Sequence, residues 1–193
     1  MSDTTTTVQP GTLLDRCATF TFTAEGDAVA SVDPRDDGNW SGGQQGVGQL
    51  IGTKYGISAP VLISWMASDP DAPPVTRGMM ENLPKSVAEA IFGSRYFNAM
   101  SCARMPDPVA MMTCDHGYNA GDTASVKILQ RVLGFTGDDV DGWAGDHTVA
   151  AIGAADAQAL ALRLSPDAAR KVQAHLGIDV DGQVGSRTMA AIM

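Results

Sequence analysis

The chain has 193 residues, 44% of them hydrophobic, and a net charge of −9, enough for one domain with a real core or one domain and a small appendage. No basic stripe is present, which excludes a nucleic-acid-binding surface, and no apolar run reaches the ~20 residues that span a bilayer. The opening Met-Ser-Asp-Thr-Thr-Thr-Thr has neither a basic nor an apolar signal region, so synthesis in the cytoplasm is expected.

Three cysteines, Cys17, Cys102 and Cys114, are too few and odd in number for a disulfide framework, and are expected as small buried hydrophobes. No Cys or His spacing suits zinc. Cys114 and His116 are close in sequence, but their apolar, helix-like surroundings favour packing over a nucleophile pair.

Taken in order, Thr12 reads as an N-cap with Asp15 at the capping-box position. Leu14, Cys17, Ala18 and Thr21 then share a helical face. Thr19 to Thr23 alternates like a strand, yet a helix into Glu25 is expected. An acidic turn follows, Asp33-Pro34-Arg35-Asp36-Asp37-Gly38, and then a Gly/Gln-rich loop to Thr53-Lys54-Tyr55-Gly56-Ile57-Ser58. A long polar loop rich in Gly, with carboxylates before and inside it, suits acid/base chemistry on a bound polymer.

Ser58 caps a helix that starts at Ala59-Pro60, Asp69 to Pro74 is a loop, Thr76 to Asn82 is a short helix and Pro84 opens another. Asp107 is expected as an N-cap with Pro108 in the first helical position. Val109 to Tyr118 is apolar nearly all round, the pattern of a buried central helix; Asp115, its one carboxylate, should be partnered. From Asp122 the chain repeats itself: Asp139-Val140-Asp141-Gly142 recurs as Asp179-Val180-Asp181-Gly182, each followed by Gly-x-x-Thr and preceded by a helix ending in Leu-Gly. These turns lack the first and last ligands of a calcium loop, so no metal is expected.

Glu25-Gly26, Asp33-Pro34-Arg35-Asp36 and Thr53-Lys54-Tyr55-Gly56-Ile57-Ser58 resemble the signature of glycoside hydrolase family 108, the phage-endolysin-like N-acetylmuramidases. That signature is Glu-Gly-Gly-Tyr, Asp-Pro-x-Asp-Pro-Gly-Gly and Thr-x-Tyr-Gly-Ile-Thr. Asp115 to Gly121 is similar to its Asp-x-x-x-Asn-x-Gly, and the repeats resemble helical peptidoglycan-binding units. The chain departs from the signature in Asp27-Ala28, in two extra residues before Asp33 and in a longer loop from Asn39 to Gly52.

The resemblance implies a mainly α protein. A lysozyme-like helical domain with a small hairpin or loop lobe covers residues 12–121, and peptidoglycan-binding-like repeats over 122–193 pack on it. The implied activity is hydrolysis of the β-1,4 bond between MurNAc and GlcNAc in peptidoglycan strands, by a monomer without cofactor. The protein would act in the periplasm after release or delivery. Glu25 is the implied general acid, its pKa raised if the helix end is desolvated. Asp33, Asp36 and Asp37 are candidates for the second carboxylate; Asp36 fits the family spacing best once the two extra residues are removed. Thr53 would hold the water, with inversion the favoured outcome. Asp33, Asp37, Trp40, Tyr55 and Asn119 are candidate substrate contacts. The alternatives are a non-catalytic wall-binding module and a secreted antibacterial muramidase in place of a phage lysis enzyme. An amidase or peptidase has no zinc set to support it.

Overall fold

A computed structural model of the chain describes residues 11–25, 29–164, Arg170, Gln173, Ala174, Gly177 and 179–182; the side chains of Ala24 and Glu25 fall outside that description. Helix α1, Leu13–Glu25, starts where Thr12 and Asp15 cap each other. The Thr12 N–H donates to Asp15 Oδ2 at 2.8 Å, and the Asp15 N–H donates to Thr12 Oγ1 at 3.2 Å. The reciprocal box therefore forms with Asp in place of the longer Glu. Cys17, Ala18, Phe20, Thr21 and Phe22 are all buried. Burial on a helical face thus overrides the strand-like Thr/Phe alternation, because β propensity depends on the packing that a segment finds.

Between α1 and the next helix lies a lobe pinned by isolated antiparallel bridges: Ser31 with Thr53, Trp40 with Leu50, and Lys54 with Ile57. A 3₁₀ turn, Asp37–Asn39, sits inside it. Glycines in the intervening loop offer no side chains for cross-strand packing, so the pairing does not extend into strands.

Helix α2, Ala59–Met66, follows Ser58 and carries Pro60 in its first turn. Helix α3, Arg77–Glu81, is capped by Thr76, whose Oγ1 accepts from the Met79 N–H. Helix α4, Lys85–Phe92, runs into a π turn at Gly93–Phe97. Helix α5, Asp107–Ala120, is the centre of the molecule: Val109 to Asp115 and Gly117 are buried, and α1 and the π turn pack against it. Asp115 is not left without a partner.

The helix starts one residue earlier than its sequence suggests. Pro106 is the N-cap, Asp107 the first helical residue and Pro108 the second. There the Asp107 carboxylate pairs with the Arg16 guanidinium, which ties α5 to α1 and places a negative charge at a helix N-terminus.

Helices α6 (Asp122–Val132), α7 (Asp146–Ala154) and α8 (Ala157–Leu164) complete the described chain. Both α6 and α8 pack on α5, α8 through buried Leu160 and Ala161. The buried Ser125 hydroxyl donates to the Thr113 carbonyl at 2.8 Å, joining α6 to α5. Each copy of the repeat holds its Asp-Gly turn with a glutamine. Gln130 donates to Asp141 Oδ1 at 2.7 Å and accepts from the Gly142 N–H at 2.9 Å. Gln173 donates to Asp181 Oδ1 at 2.7 Å and accepts from the Gly182 N–H at 2.8 Å. The remainder of the second copy lies outside the described residues.

Cys17, Cys102 and Cys114 are buried free thiols. Burial, then the contacts with Cys102 and Cys17, push the Cys114 thiol pKa well up. That is the opposite of what a nucleophile needs. No helix among the described residues is long and apolar enough to cross a membrane.

Candidate active site

Helix α1 delivers Glu25 as its last residue, directly before the acidic lobe; its carboxyl lies outside the described side chains. The lobe begins and ends on one backbone pair. The Ser31 N–H donates to the Thr53 carbonyl at 2.8 Å, and the Thr53 N–H donates back to Ser31 at 2.8 Å. Gly52 makes this approach possible. Its φ is +106°, and a Cβ there would lie 2.7 Å from the Ser31 carbonyl oxygen, so only glycine fits both the dihedral and the space.

Within the lobe the three aspartates separate by their partners. The Asp33 carboxylate is gripped by Arg35, Nη2 to Oδ2 at 2.7 Å and Nε to Oδ1 at 3.0 Å. This side-chain bond, followed by the Arg35 backbone N–H, holds Asp33 down at about 2. Asp36 caps the 3₁₀ turn by accepting the Gly38 N–H on Oδ1 at 2.9 Å, while its other oxygen has no partner among the described residues. Asp37 accepts the Gln45 N–H at 2.8 Å, which fastens the Gly/Gln loop.

Gly38 lies beside both Asp36 and Thr53. A side-chain carbon at Gly38 would sit 3.3 Å from Asp36 Oδ1, 3.3 Å from Ser58 Cβ and 3.9 Å from Thr53 Oγ1. The Thr53 hydroxyl is shielded from solvent and makes no hydrogen bond among the described residues. Such a group is expensive to leave unmatched and is therefore uncommitted chemistry at this point of the lobe.

Trp40 is half-buried, and its indole N–H donates to the Pro34 carbonyl at 2.9 Å, so the ring braces the acidic turn. Tyr55 packs inward against Phe22, with ring centroids 5.7 Å apart. Asn119 is exposed at the end of α5 and donates to the Asp115 carbonyl at 3.0 Å.

Asn39 and Tyr118 have structural roles that the sequence did not disclose. Asn39 is fully buried. Its amide donates to the Asp33 carbonyl at 2.9 Å, and its own carbonyl accepts the N–H groups of Ile51 and Gly52 at 2.8 and 2.9 Å. It therefore staples the acidic turn to the segment that ends in Thr53. Its signal in the sequence was only an Asn behind a Gly, common in any turn. Tyr118 reaches out of the apolar central helix to donate its hydroxyl to the Tyr55 carbonyl at 2.6 Å. A tyrosine in a core stretch signals such a partner, but not which one.

A helical core around a buried central helix, with an acidic lobe inserted after the first helix, makes a mainly α, lysozyme-like fold. The family described as glycosyl hydrolase 108 matches residues 18–121, and the chain belongs to that family. Its substrate is accordingly peptidoglycan. Among solved structures, the chain is similar to Brucella abortus SagA, with a TM-score of 0.59 and 23% identity over 92% of this chain and 91% of that one. This likeness extends the shared fold beyond the family match. No curated protein matches the chain.

Proposed function

We propose that the protein is an N-acetylmuramidase that hydrolyses the β-1,4 bond between MurNAc and GlcNAc, with Glu25 as general acid, Asp36 as second carboxylate and Thr53 as the residue that holds the water. The observation that carries this reading is the convergence at Gly38 of the Asp36 carboxylate and the uncommitted Thr53 hydroxyl, in a lobe entered directly from Glu25. Glycosidic cleavage needs an acid for the leaving oxygen and a second group for water or the developing charge. Asp33 is less suited to the second role, because both its oxygens are bound to Arg35. Asp33, Asp37, Trp40, Tyr55 and Asn119 remain proposed substrate contacts.

In this reading residues 12–121 form the catalytic part and 122–193 the wall-binding part, and the enzyme acts in the periplasm in an endolysin-like role. Digestion of purified sacculi, followed by mass spectrometry of the products, tests the bond assignment. New reducing MurNAc ends are expected; reducing GlcNAc ends, free stem peptides or unchanged sacculi would contradict it.

A further inference from the structure

Tyr55 is one of two non-glycine residues with positive φ among those described, at +53°. A bulky side chain in this region marks strain that the surroundings must hold in place. Several contacts do so. The Tyr55 ring rests on Phe22 at 5.7 Å. Lys54 lies over the same ring, its Nζ 5.3 Å from the centroid, and is itself fixed by donating to the Glu81 carbonyl at 2.9 Å. The direct hold on the strained backbone is the Tyr118 hydroxyl, which donates to the Tyr55 carbonyl at 2.6 Å. At the next residue the tyrosine ring approaches so closely that a Cβ on Gly56 would lie 2.4 Å from Tyr118 Cε1.

The strained residue closes a tight turn in which Lys54 and Ile57 exchange backbone hydrogen bonds at 3.2 and 2.8 Å. That turn sets the spacing between Thr53, before it, and Ser58, after it. Gly38, whose N–H the Asp36 cap holds, is close to both: a side-chain carbon there would lie 3.9 Å from Thr53 Oγ1 and 3.3 Å from Ser58 Cβ. Thus a contact made by the central helix fixes the seat of the acidic turn.

We infer that Tyr118 is a positioning residue for the hydrolytic reaction: through its hydrogen bond to Tyr55 it locks the turn that places Thr53 opposite Asp36. The inference rests on the function proposed above. In this scheme Tyr118 acts on the site through the turn and Thr53. Tyr96 provides the matched control, since its ring lies 4.8 Å from that of Tyr118 and its hydroxyl makes no bond to the turn.

The experiment compares Tyr118→Phe, Tyr96→Phe, Thr53→Ala and the Tyr118→Phe/Thr53→Ala double variant on purified sacculi, with Glu25→Gln as the inactive reference. Tyr118→Phe keeps the ring and should fold. Its kcat should fall about 10-fold to 10²-fold with KM little changed, the scale expected for slight misplacement of a catalytic group. Tyr96→Phe should retain native kcat. In the Thr53→Ala background, Tyr118→Phe should cost nothing further, because coupled residues are non-additive. Backbone amide resonances of Thr53 to Ile57 should shift in Tyr118→Phe and not in Tyr96→Phe.

Native kcat in a folded Tyr118→Phe, or losses that multiply fully with Thr53→Ala, would overturn the positioning role while an inactive Glu25→Gln left the muramidase reading standing. A Glu25→Gln variant with native turnover would overturn both.

Discussion

Gln130 donates to Asp141 across 2.7 Å, and this bond organises the turn of the first C-terminal repeat. Gln130 is 1% exposed and also donates to the Trp143 carbonyl and to Thr148. Gln130→Leu preserves approximate size but leaves the Gly142 N–H without its acceptor. It should lower stability by about 1–3 kcal/mol, the cost of a buried polar group left unmatched, as read by denaturant unfolding.

The same bond makes a pH prediction. The Gln130 amide, then the Trp143 N–H, hold the Asp141 carboxyl below its ordinary 3.8. A carboxyl depressed in the folded state contributes stability above its unfolded pKa and loses it as pH falls through the folded value. The gap in melting temperature between wild type and Gln130→Leu should therefore narrow as pH drops below 3.8. A gap that widened on acidification would contradict the assignment of the bond.

Asp33 and Asp36 should respond differently to neutralisation. Asp33 is already committed to Arg35, whereas Asp36 spends Oδ1 on the Gly38 N–H and keeps its other oxygen free of partners among the described residues. Asp36→Asn should lower turnover about 10²-fold or more, and Asp33→Asn much less. The reverse order would place the second carboxylate at Asp33.

Gly52→Ala should damage the lobe from its base. The new methyl would meet the Ser31 carbonyl at 2.7 Å and Val32 Cγ1 at 2.8 Å, at a backbone φ of +106°. A cost of about 1–3 kcal/mol is expected from the dihedral alone. Activity at a temperature where the variant is fully folded should fall as well, because the Ser31–Thr53 pair must open.

Much of this architecture was legible from short-range signals. Thr12 with Asp15 announced the start of α1, Ser58 with Pro60 the start of α2, and the nearly all-round apolar pattern from Val109 to Tyr118 the buried centre. Each is a local statement about one turn of helix. The start of α5 slipped by one residue because Pro106, Asp107 and Pro108 all suit a helix entrance, and Arg16, distant in sequence, helps fix Asp107 there.

Within the candidate site, the sequence supplied three aspartates and a threonine but no means of ranking them by partner. Arg35 on Asp33, Gln45 on Asp37 and Gly38 on Asp36 are contacts of folded loops. The reach of Tyr118 to Tyr55 spans 63 positions and has no periodicity to betray it.

The measurement that bears most directly on the whole account is turnover of Glu25→Gln on purified sacculi, with binding to the same sacculi measured alongside. Glutamine keeps the shape and hydrogen bonding of the side chain but has no proton to give the leaving oxygen. A folded protein that still binds and has lost about 10²–10⁴-fold in activity is expected. A folded Glu25→Gln protein that turned over sacculi at the native rate would contradict it.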